Sequence, residues 1–410
     1  MSQQPPLAAF AGFGIEIEYA IVDRDTLDVR PIADQLLAAA AGAAVNEYAA
    51  GPISWSNELS LHVIELKTNG PAPTLAGLAD QFAATLRHID QLLAAYGARI
   101  LPGPMHPWMD PAREQRLWPH EQNEIYAAYD RIFNCRGHGW ANLQSMHINL
   151  PFANDDEFVR LHDAIRVVLP LLPALAAASP FASGHVSGLL DTRLDVYRRN
   201  QQRVPEITGR VVPDHVGSIT EYHERILAPM YAAIAPHDPA GVLRGEWLNS
   251  RGAIARFDRS AIEIRILDAQ ESPAADLAIA QAVTAVIRRL FEQTDVSHAI
   301  QSAAPTALLA DIFERSLRDG EQTVIDAPAV LAAFGLPPVA TTAGAVWRQL
   351  LERAGMLAAG ESAAVLRAQL ARGPLARWLL AQVPAAPTRA DLHTLYRGLC
   401  AALDANRVCG

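Results

Sequence analysis

The sequence predicts an α+β fold, and three observations carry the prediction. Stretches with a period of two, which read as strands, cluster in the first two-thirds of the chain. The same stretches hold most of the paired charge that could do chemistry. After Pro273 the composition turns Ala-, Leu- and Arg-rich and mostly helical, with breaks at Pro305, Pro337 and Pro338, and Pro384 to Pro387.

The first of these stretches, Gly14 to Asp23 (GIEIEYAIVD), organises the rest. Alternation sends Ile15, Ile17, Tyr19 and Ile21 to one face, and Glu16, Glu18, Ala20 and Val22 to the other. Two carboxylates then lie about 6.5 Å apart along one strand face. A solvated edge strand would explain single acids. Ala20 and Val22 on the acidic face argue that this face is not simply wet.

The other elements follow in order. Residues 1–11 read as a loose leader, and Pro31 to Ala44 as a short helix. Glu58 to Thr68 is expected to be a strand stopped by Asn69-Gly70-Pro71. Leu75, Leu78, Phe82, Leu86, Ile89 and Leu93 give Thr74 to Tyr96 a helical period. Ala98 to Leu101 is a short strand before a Pro/Gly/Trp loop. Ile125, Tyr129, Ile132 and Phe133 mark a helix. Ser145 to Pro151 alternates again, with His147 and Asn149 on one face. Asp155 to Ala178 is a helix pair or a proline-kinked helix. Ser179 to Arg203 reads as a long arginine-rich loop, Asp214 to Ala235 as a helix, and Gly245 to Arg256 and Ile262 to Asp268 as strands. No internal repeat is visible. The expected organisation is a catalytic domain over 12–292 and a helical C-terminal region over 293–410.

Composition narrows the function. Half of the 410 residues are hydrophobic, enough for a sizeable core. A formal net charge of −10 without any basic run argues against a nucleic-acid partner. Cys135, Cys400 and Cys409 are too far apart for a zinc pattern or a disulfide framework, which suits a reducing compartment. The N-terminus lacks the features of a signal peptide. The most apolar run, Val167 to Ala178, is too short to span a bilayer and contains Pro170 and Pro173. The expectation is a cytoplasmic protein without a membrane partner; a homodimer is compatible with the sequence. Lys67 is the only lysine and sits outside any Walker context, so metals and arginines would have to handle a nucleotide.

Four stretches could build a site: Glu16 with Glu18, Glu58 with Glu65, His147 with Asn149, and Glu263 with Arg265 in AIEIRILD. Glu58 and Glu65 are seven residues apart, so a regular strand would put them on opposite faces. A bulge or strand end must intervene if both join the site; otherwise Glu58 caps the preceding loop. If these acids converge, two carboxylates about 4 Å apart repel by roughly 4 kcal/mol at an effective dielectric of about 20. Divalent cations would compensate them, and oxygen ligands with one imidazole suit Mg²⁺ or Mn²⁺ better than zinc. Arginines would then clamp a transferring phosphoryl group.

The order ExE, E-x6-E followed by Thr, a strand His, SPF opening an arginine-rich loop, and ExRxxD resembles the GCS2 family, the glutamate–cysteine ligases and related carboxylate–amine ligases. The resemblance covers roughly residues 12–292. It implies a glutamine synthetase-like fold: a curved antiparallel sheet with acids on its concave face and helices outside. It also implies ATP-driven amide formation through an acyl phosphate. By that resemblance Glu16, Glu18, Glu58, Glu65, His147 and Glu263 would hold two or more Mg²⁺ or Mn²⁺ ions. Arg265 and Arg251 would contact phosphates, with the choice between Arg251 and Arg256 left open. Arg193 and Arg198 would hold ATP or the acidic substrate, and Asn149 and Lys67 would line its site. The expected substrates are ATP, glutamate or a similar acid, and an amino-acid amine such as cysteine.

Three rivals remain. A guanidino kinase on the same fold would transfer phosphate and stop, a two-carboxylate hydrolase would need neither the arginines nor His147, and a non-catalytic relative would keep the fold alone.

Overall fold

The computed structural model describes residues 5–409. Eight antiparallel strands form the main sheet: β1 Gly14–Asp23, β2 Glu47–Ala50, β3 Ile53–Asn57, β4 Val63–Thr68, β5 Ala98–Leu101, β6 Ser145–Pro151, β9 Ala253–Arg256 and β10 Ala261–Asp268. Their order is β2-β3-β4-β1-β6-β10-β9, with β5 beside the far end of β1. Two small two-stranded sheets lie apart: the hairpin of β7 Phe181–Ala182 with β8 His185–Val186, and β11 Val324–Ile325 paired with β12 Thr341–Thr342.

β1 is central because it is long enough to serve three neighbours. Glu16 to Ala20 pair with β4, Gly14 to Ile17 with β6, and Ala20 to Asp23 with β5. Its aliphatic face is fully buried at Ile15, Ile17, Tyr19 and Ile21. That face shares one core with Phe82, Leu86 and Ile89 of the helix Leu78–Ala94 and with Leu277 and Ile287 of the helix Pro273–Phe291. The other face is divided. Ala20 and Val22 lie under Leu392, Tyr396 and Leu399 of the last helix, Arg389–Asp404, while Glu16 and Glu18 face a cleft.

Several expectations need correction. The strand expected from Glu58 begins only at Val63; Glu58 sits past the end of β3. The hairpin β2–β3 was not foreseen: it turns at Gly51, whose φ of 72° suits glycine. The loop expected over 179–203 contains the β7–β8 hairpin and the helix Thr192–Tyr197, capped by Asp191. The helix expected from Asp214 starts at Ile219, where Ser218 Oγ accepts the Glu221 N–H. Of 245–256, only Ala253–Arg256 is strand. The kinked-helix reading holds: helix Asp155–Val168 passes through a 3₁₀ turn at Pro170 into Leu172–Ala176.

Of the expected leader, residues 1–4 lie outside the described residues. Ala9 N–H donates to Glu157 at 2.8 Å, and Phe10 packs edge-on against Phe291. The later helices share the sheet's core through Phe313, Trp347 and Leu351, and Trp347 Nε1 donates to the Leu171 carbonyl at 2.7 Å. Among the described residues no helix is long and apolar enough to cross a membrane.

Since Leu399 is fully buried over β1, Leu399→Ala should cost about 2–5 kcal/mol of stability in urea unfolding. The control Leu308→Ala, at an exposed position, should stay within about 0.5 kcal/mol. Equal losses would mean that the last helix does not hold the sheet as described.

Candidate active site

The acidic half of the sheet face opens into a cavity of about 510 Å³. Strand register places the acids. Glu18 stands opposite Glu65 across β1–β4, and Glu16 opposite both Lys67 and His147. Glu263 stands opposite Asn149 across β6–β10. Partners in register show their side chains on the same face, so these residues converge without any loop. Glu58 joins them because β3 ends at Asn57; of the bulge or strand end that its spacing allowed, the strand end is present.

The acids form two groups. Carboxylate oxygens of Glu18, Glu58 and Glu65 lie within 4.8 Å of one another, the one such metal-competent cluster among the described residues. Burial, then the charges of Glu65 and Glu18, push the Glu58 carboxyl well above its ordinary range. Burial and Glu16 raise Glu65 as well, against the pull of Lys67. Ser56 Oγ donates to Glu65 at 2.9 Å, and Lys67 Nζ lies 3.5 Å from Glu65 and 3.3 Å from Glu47.

The second group is Glu16, His147 and Glu263. His147 Nδ1 donates to Glu16 at 3.1 Å and stands 3.9 Å from Glu263. Its Nε2 is 2.9 Å from Ser145 Oγ, which itself donates to Glu18 at 3.0 Å. Both ring nitrogens therefore act as donors, the pattern of an imidazolium. Burial would lower the His147 pKa, but the Glu16 hydrogen bond and the charges of Glu263 and Glu18 raise it. Burial would raise Glu16, yet His147, Arg259 and Lys67 together bring it down to about 2. Asn149 Nδ2 donates to Glu16 at 3.1 Å and orients it.

The arginines approach from the β9–β10 side. A bulge between Ile264 and Leu267 re-aims Arg265, whose Nε lies 3.3 Å from Glu263 and whose Nη1 donates to the Asn249 carbonyl at 3.0 Å. Burial opposes its charge, but Tyr197, Glu263 and Glu18 keep its pKa raised. Arg256 pairs with Glu263 at 3.2 Å, and Arg259 stands 3.8 Å from Glu16. Arg193, fully buried, pairs with Asp268 and lines the cleft, and its Nη2 has no hydrogen-bond partner among the described residues.

Three expected residues do not line the cleft: Asn149, which donates to Glu16, and Arg251 and Arg198. Arg251 Nη1 donates to the Glu206 carbonyl and to Asn249 Oδ1, both at 3.1 Å, and so braces the 205–209 turn outside the cleft. Arg256, not Arg251, lines the cleft. Arg198 pairs with Asp195 at 2.9 Å. It follows Arg193 by five residues, about 140° around a helix, so the two cannot share a face.

The cleft also holds residues that sequence reasoning missed. Ser145 could have been found by extending the alternation back two residues from His147. Glu47 and Ser56 were lost with the unforeseen hairpin, and Arg259 sits in a turn with no signal. Tyr126, Tyr129, Trp140, Tyr197 and Trp247 form a wall, with Tyr129 and Trp140 rings 4.9 Å apart.

The sequence matches the glutamate–cysteine ligase family 2 (GCS2) over residues 12–382, and the chain belongs to that family. An uncharacterised protein of Archaeoglobus fulgidus is 39% identical over 290 residues, covering 70% of this chain and 77% of the relative. A Rubrobacter xylanophilus protein named "Putative glutamate--cysteine ligase 2-3" is 30% identical over 188 residues. That match covers 45% of this chain and spans only about half of the relative, 47%. Among solved structures, the glutamate–cysteine ligase of Francisella tularensis in complex with AMP superposes with a TM-score of 0.58 at 12% identity. It covers 96% of this chain and 88% of that one, and the likeness is one of fold: α+β with a large antiparallel sheet.

Glu58 and Glu65 hold protons more tightly in the folded chain than in the unfolded one. Above the ordinary carboxylate range the native state therefore carries more protons, so stability falls as pH rises. In chelator, the melting temperature should drop between about pH 5 and about pH 7.5. Mg²⁺ needs deprotonated ligands and should restore more at the higher pH. Glu58→Gln should flatten both trends in scanning calorimetry; their persistence in that variant would contradict the assignment.

Proposed function

We propose that this GCS2 chain is an ATP- and divalent-metal-dependent carboxylate–amine ligase with a glutamine synthetase-like site, joining the γ-carboxylate of glutamate to an amine, with cysteine the first candidate. The observation that carries the reading is the convergence of Glu18, Glu58 and Glu65 within 4.8 Å, in the same cleft as Arg256, Arg259 and Arg265. Carboxylates so crowded that burial and mutual repulsion raise two of them fit hard cations that favour oxygen donors. Glu18, Glu58 and Glu65 would hold one such ion, and Glu16 and Glu263 another, joined by His147 once its imidazolium gives up a proton. When bound, Mg²⁺ or Mn²⁺ supplies charge neutralisation for the phosphate oxygens.

The chain's own residues do the rest. A carboxylate is a poor electrophile. Attack of its oxygen on the γ-phosphorus of ATP forms a carbon–oxygen–phosphorus link and releases ADP; the amine then attacks the acyl carbon and displaces inorganic phosphate. Arg265, Arg256 and Arg259 are placed to meet negative charge as it gathers on the transferring phosphoryl group. The unpartnered Nη2 of Arg193 offers a donor to a substrate carboxylate or phosphate. The aromatic wall shields the acyl phosphate from water.

A phosphate-release screen with ATP, Mg²⁺, glutamate and a panel of amines tests the reading. It predicts phosphate release that requires both the acid and one amine. Release without an amine, or accumulation of a phosphorylated acceptor, would contradict it. Arg265→Lys keeps the charge and loses the planar fork, so kcat should fall by roughly a hundredfold or more, about 2.7 kcal/mol, with a smaller change in KM for ATP. A lower melting temperature with unchanged kcat would reduce Arg265 to an ion-pair partner of Glu263.

A further inference from the structure

A second cavity, of about 430 Å³, lies outside the cleft. Its lining is Arg113, Gln115, Arg116, Leu117, Asp130 and Arg136. Three arginines against one aspartate leave it a net charge of +2, on a chain whose total is −10. None of the three arginines forms an ion pair among the described residues. The one carboxylate is already committed, because Asp130 accepts the Cys135 N–H at 2.9 Å. Arg116 is fixed by donating from Nη1 to the carbonyls of Arg113 at 2.8 Å and Gln115 at 2.7 Å.

The second observation is Gln115. It is only 5% exposed, and neither its side-chain oxygen nor its nitrogen has a hydrogen-bond partner. Buried amides are rarely left this way, so an unpartnered one lining a cationic cavity points to a ligand that completes it. The cavity also touches the machinery of the cleft. The Arg116 carbonyl accepts the Leu61 N–H at 2.8 Å and the Trp118 N–H donates to the Leu59 carbonyl at 3.0 Å, lacing this segment to the turn after Glu58. Asp130 lies on the helix Asn123–Phe133, which presents Tyr126 and Tyr129 to the cleft.

We propose that this cavity is a second binding site, separate from the cleft, for an oxyanion carrying at least two negative charges. Guanidinium groups pair with carboxylates and phosphates through matched forks, and a doubly charged ligand balances the +2 lining. Gln115 supplies a neutral donor to the same anion. A phosphate-bearing molecule and a polycarboxylate share this chemistry.

Titration calorimetry on the full chain, in chelator and moderate salt, with pyrophosphate in one arm and citrate in the other, tests the proposal. The cleft carries cations as well as acids, so the double variant separates heat of the second site from any heat of the cleft. One site per chain is expected. Its affinity should fall by at least about tenfold in the double variant Arg113→Ser, Arg136→Ser and hold in Glu65→Gln. The preferred probe identifies the ligand's source. An unchanged melting temperature shows that the double variant folds, both arginines being exposed. No heat with either probe, affinity that survives the double substitution, or affinity lost in Glu65→Gln would each overturn the site. None of these outcomes depends on the ligase reading.

Discussion

Crowded carboxylates are the constraint on which the rest of this molecule depends. Glu16, Glu18, Glu58, Glu65 and Glu263 line one cleft, and buried charges of one sign are tolerated only when something answers them. The answers surround them. Ser56 and Lys67 attend Glu65, Ser145 attends Glu18, His147 and Asn149 attend Glu16, and Arg256 and Arg265 attend Glu263. Among the described residues neither Glu18 nor Glu58 pairs with a cation, and burial and its neighbours push the Glu58 carboxyl well above the ordinary range. The polar surroundings leave Glu58 and Glu65 raised by burial and by neighbouring carboxylates, a remainder that suits a hard cation.

The fold makes such crowding possible by rigidity. Register, not loop conformation, sets Glu18 against Glu65 and Glu16 against His147. The opposite face of the same strands is locked by aliphatic side chains into the main core, so the acids cannot move apart without unpacking it. The far end of β1 is closed by the last helix over Ala20 and Val22, which confines the polar face to the cleft. The bulge in β10 brings a guanidinium back to the acids from a strand already carrying one of them.

What was legible in the sequence was the part governed by period two. The alternation in GIEIEYAIVD, SMHINLP and AIEIRILD placed the strands, and with them Glu16, Glu18, His147 and Glu263 on the cleft side. The spacing of Glu58 and Glu65 called for a bulge or a strand end if both were to join the site, and a strand end is present. Position set by loops was not legible. Arg251 and Arg256 look equivalent in NSRGAIARF, yet one holds carbonyls of the 205–209 turn while the other enters the strand that borders the cleft. Glu47 and Ser56 sit on strands too short to alternate visibly. The aromatic wall was hidden for a different reason. Tyr129 beside Ile125 and Ile132 reads as the apolar face of a helix, and only tertiary packing turns part of that face toward the cleft.

The central claim, that the acids exist to hold cations, is tested most directly by counting them. Electron paramagnetic resonance of free Mn²⁺, titrated with the chain in the presence of a non-hydrolysable ATP analogue, gives the number bound. The account predicts at least two ions per chain, with at least one lost in Glu65→Gln while the unfolding midpoint is kept. No bound Mn²⁺, or the same number in that variant as in the unaltered chain, would contradict it.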